Sequence, residues 1–202
     1  MRKTLVIFAH PRYEISRSQR ALAEALPREN WLTFRDLYEL YPDFEVDVEE
    51  EKRLLLEHDL IIWQHPFYWY SAPPLLKQWI DMVLEFGWAY GPGGNALEGK
   101  YLFNALSAGG PRDVYQPEGR NRYRVSEFLR PFEQTVRLCH MEWLPAFVVH
   151  GTHRLSNEEL KAEAEYYGWV VRQLAHSEID LHMLQRYEYL NDCRDILKVR
   201  KV

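Results

Sequence analysis

Thr4 to Ala9, Thr-Leu-Val-Ile-Phe-Ala, is an unbroken apolar run close to the first residue. It shows no alternation of polar and apolar positions, so a strand formed by it must be covered on both faces, as in a parallel sheet flanked by helices. Further runs repeat the theme at Trp31 to Arg35, Asp59 to Gln64, Tyr101 to Ser107 and Trp143 to Val149. Pro145 interrupts the last of these and cannot donate to a ladder, which places that strand at a sheet edge.

Helical patterns fill the gaps. Ser16-Arg-Ser-Gln19 has the spacing of a capping box ahead of Ala21, Leu22, Ala25 and Leu26, and Pro27 stops the helix. Asp47 opens a second helix whose first-turn acids suit the macrodipole and which ends near His58. Pro73-Pro74 starts a third, with Leu75, Leu76, Trp79, Ile80 and Val83 on its inner face. Gly91-Pro-Gly-Gly94 marks the loop that follows. A helix lies within Ser126 to His140, with Pro131 in its first turn or at a kink, and Ser156 to Glu159 is a capping box with Leu155 and Leu160 as its staple. Strands alternating with helices imply right-handed crossovers. The expected fold is α/β: a doubly wound five-stranded parallel sheet in the order 2-1-3-4-5 with helices on both faces. Its switch point lies between strands one and three, where ligands bind at the carboxyl ends. Residues 1–175 should form one domain. Residues 176–202 read as a C-terminal extension packing on the domain or on a partner subunit.

A formal net charge of -5, made of both signs spread along the chain, gives no basic stripe to follow a nucleic-acid backbone. The apolar stretch after Met1-Arg2-Lys3 is too short for a secretory or transmembrane segment, so a cytoplasmic protein is expected. Cys139 and Cys193 form neither a CxxC pair nor a metal cluster, and both read as reduced structural residues.

No glycine precedes Gly87, which removes GxGxxG and Walker loops after the first strand. A phosphate there must be held by hydroxyls, a cation and helix N-terminal amides, all supplied by Ser16, Arg17 and Ser18. Ser16 can cap the helix and bind at once. His10-Pro11 and His65-Pro66 end strands one and three, so the two histidines should approach each other; no third metal ligand is evident, and no metal is expected. Pro66-Phe-Tyr-Trp-Tyr70 is a run of aromatics on the loop after strand three. It either edges a flat heterocycle or is buried between subunits, and a cofactor at a dimer boundary would satisfy both. Ser107-Ala108-Gly109-Gly110 after strand four lets the backbone approach a ligand closely.

These residues resemble the NAD(P)H:quinone oxidoreductases of the flavodoxin-like fold, and most closely the bacterial ancillary proteins of glutathione-regulated potassium efflux. The resemblance runs from Leu5 to about Tyr167 and includes Ala9-His-Pro11, Tyr41-Pro-Asp-Phe44, Gln64-His-Pro66, Gly91-Pro-Gly-Gly-Asn95, Asn121-Arg-Tyr123 and Leu129-Arg-Pro-Phe-Glu133. It implies a bound FMN or FAD, with phosphate contacts at His10, Ser16, Arg17, Ser18 and Gln19. It also implies a ring system against Pro66, Phe67, Tyr68, Trp69 and Tyr70 and against Ser107, Ala108, Gly109 and Gly110, where Ser107-Ala108 replace the family's threonines. Tyr115 matches a tyrosine that assists hydride transfer, while Asn121 stands where the family has its partner histidine. The implied activity is two-electron transfer from NAD(P)H to a quinone-like acceptor in a homodimer. The alternative is a regulatory subunit bound to a potassium-efflux antiporter at the inner face of the membrane, with the flavin structural or sensing.

Overall fold

The computed structural model describes residues 1–178 and 180–197. Along the chain run β1 (Thr4–Phe8), α1 (Arg17–Ala25), β2 (Leu32–Asp36), α2 (Leu37–Leu40), α3 (Val48–Glu57), β3 (Leu60–Pro66) and α4 (Pro74–Val83). They are followed by β4 (Tyr101–Ser107), α5 (Val125–Phe128), α6 (Arg130–Leu138), β5 (Glu142–Trp143), β6 (Phe147–Val149), α7 (Asn157–His176) and α8 (Arg194–Leu197). The sheet is parallel in the order β2-β1-β3-β4-β5, and β6 also pairs with β4. β1 and β3 are buried along their whole length, as their continuous apolar runs require. The pleat sends Leu5, Ile7 and Ala9 into one core with α3, α4 and α6, and sends Val6 into the other with α1 and α7.

The expected fifth strand is split into β5 and β6 on either side of Pro145, whose missing amide hydrogen prevents one continuous ladder. The outer side of this edge does not face water alone. Leu190 N–H donates to the Ala146 carbonyl at 2.9 Å, and the Asn191 side chain accepts from Val148 N–H and donates to its carbonyl. Leu181, Leu184, Leu190 and Leu197 are buried in the α1/α7 core. The expectation for residues 176–202 falls partly on Ile179 and 198–202, which lie outside the described residues.

Two local devices fix the layers. Gly168 on α7 faces the Ala25 carbonyl oxygen of α1, and a Cβ there would run into it, so the glycine sets how closely the two helices approach. On the opposite face the fully buried Glu51 carboxylate accepts from Arg35 Nη2 at 2.6 Å, Tyr41 Oη at 2.7 Å and Trp79 Nε1 at 2.9 Å. That one carboxylate ties β2, the turn after α2, α3 and α4 together. Cys139 and Cys193 are free and buried, and burial pushes their thiols up to about 11 and about 12.

Candidate functional site

The first turn of a helix leaves its amides without intrahelical acceptors. At α1, Ser16 Oγ takes the amide of Gln19 at 3.2 Å, which leaves those of Arg17 and Ser18 at the helix mouth. Around that mouth, at the carboxyl ends of β1, β3 and β4, lies a cleft of about 440 Å³. His10, Ser16, Arg17, Ser18, Pro66, Phe67, Tyr68, Ser107 and Gly109, all candidate binding residues from the sequence, line it. No carboxylate is among its lining residues. A wider groove of about 570 Å³ runs between α1 and α7, but it lies away from the strand ends and carries Glu24 and Glu165.

Four further residues line the cleft that sequence reasoning missed: Arg12, Ile15, Thr152 and His153. Arg12 stands three residues beyond the apolar run and could have been found as a second cation beside the helix mouth. Thr152 and His153 follow the broken edge strand and carry no sequence signal. His153 folds over Gly109, where a Cβ would come within 2.5 Å of its Nε2, so only glycine fits beneath the imidazole as it stands. Arg17 reaches across to the start of α7, donating from Nη2 to the Leu155 carbonyl and to Asn157 Oδ1.

Two expectations need correction. The capping box at Ser16 is only half formed, because the Gln19 side chain turns inward instead of returning to the Ser16 amide; fully buried, it binds Ser107 and the His65 carbonyl. That leaves no side-chain donor of Gln19 for a phosphate. His10 and His65 do not converge. The period-2 pleat puts His10 beside Tyr68 at the cleft and His65 on the opposite face, stacked on Phe132 and bonded to Asn104. Asn121 Oδ1 lies 3.5 Å from the Tyr70 hydroxyl, while the Tyr115 ring packs on Phe67 and His150.

The aromatic loop is a tight turn with Ser71 N–H donating to the Tyr68 carbonyl at 2.9 Å. Both of its central residues are left-handed, Trp69 at φ 49° and Tyr70 at φ 61°. Turns of this kind ordinarily carry Asn and Gly, so two large aromatics here store backbone strain. The turn is held by Tyr70 stacking on Phe128 with ring centroids 4.8 Å apart, and it leaves Trp69 92% exposed. Ala108 is buried behind the cleft, and Gly110 lies against Tyr115, whose ring a Cβ would approach to 3.1 Å. Burial pushes the Tyr115 phenol up from its ordinary value and pushes the His10 imidazole down.

A parallel sheet in this order, with its ligand-type cleft at the switch point, defines a doubly wound flavodoxin-type protein. Residues 2–170 match the family model described as "Flavodoxin-like fold", and the chain belongs to that family. It is 44% identical over 177 residues, 87% of this chain and 97% of the relative, to the glutathione-regulated potassium-efflux system ancillary protein KefG of Pectobacterium carotovorum subsp. carotovorum. It superposes with a TM-score of 0.78 and 40% identity on general stress protein 14 of Treponema denticola, a structure in complex with FMN, covering 82% of this chain and 95% of that one. An NADPH-quinone reductase from P. pentosaceus matches with a TM-score of 0.76 and 32% identity over 88% of this chain and 99% of that one. The resemblance read from the sequence therefore holds at the level of fold and family.

Proposed function

We propose that this chain binds FMN in the cleft at the ends of β1, β3 and β4 and acts as an NAD(P)H-dependent oxidoreductase on a quinone-like acceptor. The observation that carries the reading is a cleft with two arginines, open helix-terminal amides and no carboxylate, beside the flat side chains of Phe67 and Tyr68. Such a site fits a ligand with an anionic end and a planar body. The FMN complex of the Treponema denticola protein and the name of the P. pentosaceus reductase support the same choice.

When bound, the flavin would supply the redox chemistry that links NAD(P)H, a hydride donor, to the reduction of a quinone-like acceptor by two electrons and two protons. The protein's part is to bind and polarise. Arg12, Arg17, the first-turn amides of α1 and the hydroxyls of Ser16 and Ser18 hold the phosphate. Pro66 to Tyr70 and Ser107 to Gly110 border the ring system. Tyr115, whose phenol burial holds protonated, would donate a hydrogen bond towards the flavin, and Asn121 would have the lesser task of holding Tyr70. Residues 1–175 form the flavin-binding unit, with 176–202 as an extension of it. A visible spectrum of the purified protein, with mass analysis of released flavin, tests the binding; turnover of a quinone with NADH or NADPH tests the activity. Colourless protein that takes up no FMN would overturn the reading.

The chain also forms a homodimer in this reading, since Trp69 at 92% and Phe86 at 68% exposure are apolar surfaces that a monomer leaves in water. A sedimentation experiment showing only monomer at micromolar concentration would remove this part. The 44% identity to KefG favours a second role, regulation of a potassium-efflux antiporter at the inner face of the membrane. Among the described residues no helix is long and apolar enough to cross a membrane, so that role would be peripheral. Co-purification with such an antiporter, with efflux lost when the chain is deleted, distinguishes it from the enzymatic role.

A further inference from the structure

Beneath the cleft lies a chain of buried side-chain hydrogen bonds whose direction is fixed by its chemistry. The His65 carbonyl can only accept, and the atom of Gln19 that meets it at 2.9 Å must therefore be the amide nitrogen Nε2. The same nitrogen lies 2.9 Å from Ser107 Oγ, so its second hydrogen is donated to the serine. Gln19 Oε1 then faces away and accepts from Gln64 Nε2 at 3.1 Å. Gln64 Oε1 in turn accepts from the Tyr167 hydroxyl of α7 at 3.0 Å. Flipping either amide would set two carbonyl-type oxygens against each other, so the order of donation, Tyr167 to Gln64 to Gln19 to Ser107, cannot be reversed.

Gln19, Gln64 and Tyr167 are all fully buried, while Ser107 lines the cleft. One lone pair of the serine oxygen is taken by Gln19, and among the described residues no hydrogen bond is formed by the serine hydrogen. We infer that Ser107 acts as a hydrogen-bond donor into the cleft, oriented in that sense by Gln19, Gln64 and Tyr167 as positioning residues. The ligand then presents an acceptor atom there, a ring carbonyl or nitrogen or a phosphate oxygen. This gives Gln19 a role different from direct contact with a phosphate. It also extends the site through the sheet to α7, since each buried donor polarises the next.

The inference rests on the proposed binding of FMN, and the test separates the two. Dissociation constants for FMN and riboflavin are measured by flavin fluorescence for the wild-type protein, Ser107→Ala, Ser107→Thr, Gln19→Met and Tyr167→Phe, and for Ser107→Ala combined with each of the last two. Ser107→Ala should weaken FMN roughly three- to tenfold, the range for one ligand hydrogen bond, while Ser107→Thr, which keeps the donor, stays within about twofold. Gln19→Met should cost about as much as Ser107→Ala, because the serine hydroxyl then loses the donor that fixes its orientation, and the double variant should lose no more than either single one. A loss shared by riboflavin places the acceptor on the ring; a loss confined to FMN places it on the phosphate. Unchanged affinity in Ser107→Ala, or losses that multiply in the double variant, would overturn the inference while leaving FMN binding intact. If Gln19→Met does not fold by circular dichroism, Tyr167→Phe in the two Ser107 backgrounds decides by the same criterion. Wild-type protein that takes up no FMN removes the functional reading itself, and the inference with it.

Discussion

Arg17 divides its guanidinium between structure and site. Nη2 is committed to Leu155 and Asn157, so the residue anchors the start of α7 while its charge stays at the cleft. Arg17→Ala should weaken FMN by roughly 1.5–3 kcal/mol, the scale of a charge-assisted hydrogen bond, and Arg12→Ala by a similar amount. Riboflavin, which lacks the phosphate, should be nearly indifferent to both changes. Equal effects on the two ligands in a titration would show that the arginines act on something other than an anion. Tyr115 and Asn121 have different partners, Tyr115 in Phe67 and His150 and Asn121 in Tyr70, so they should not behave as a couple. Tyr115→Phe should slow flavin reduction by NAD(P)H modestly, Asn121→Ala should do less, and the two effects should multiply. Stopped-flow rates provide the comparison. A larger loss in Asn121→Ala would reverse the assignment of roles.

Among the elements, α1 matters most, because it both presents the ligand-facing amides and supplies Gln19 to the buried chain. Its position depends on close approach to α7 at Gly168, where a side chain would strike backbone that cannot rotate away. Gly168→Ala should therefore destabilise the fold by about 1–3 kcal/mol in spite of alanine's better helix propensity. A chemical denaturation curve with unchanged or higher midpoint would mean that α1 yields easily. On the other face, Glu51→Ala would strand Arg35, Tyr41 and Trp79 without their shared acceptor and should cost about 3–5 kcal/mol. The Tyr41-Pro-Asp-Phe44 segment that helped to carry the family resemblance is explained in part by this junction, through the Tyr41 hydroxyl.

For the whole molecule, the buried imidazoles set the acid limit. Burial pushes His65 down to about 4, and burial together with the nearby Arg112 pushes His150 down to about 4. In the unfolded chain each takes a proton near pH ~6.5. The folded state thus prefers both neutral, and their stabilising contribution is complete above pH ~6.5, declines as the pH falls, and is exhausted near pH 4. Each histidine accounts for up to about 3 kcal/mol over this window. Unfolding free energies measured from pH 7 to 4 should fall, and His65→Gln should flatten part of the decline. A flat profile in the wild-type protein would contradict the neutral state of both rings, His65 fully buried and His150 partly so.

The strands, their order and most helix starts were legible in the sequence because they depend on local patterns. Continuous apolar runs demand two covered faces, Ser156 with Glu159 closes a capping box, and Pro145 breaks a ladder whatever surrounds it. The first cleft-forming loops were legible for the same reason, as they follow directly from strand ends. What tertiary structure alone decided was the direction of side chains and the meeting of distant segments. Gln19 obeys the spacing of a capping box, yet the buried His65 carbonyl and Ser107 hydroxyl offer its amide partners that the Ser16 backbone cannot match. Thr152 and His153 enter the cleft only because β6 pairs with β4, and the left-handed turn at Trp69 and Tyr70 persists only because Tyr70 stacks on Phe128. Local sequence sets where the backbone changes course; competition among non-local partners for buried hydrogen bonds and contact area sets where the side chains go.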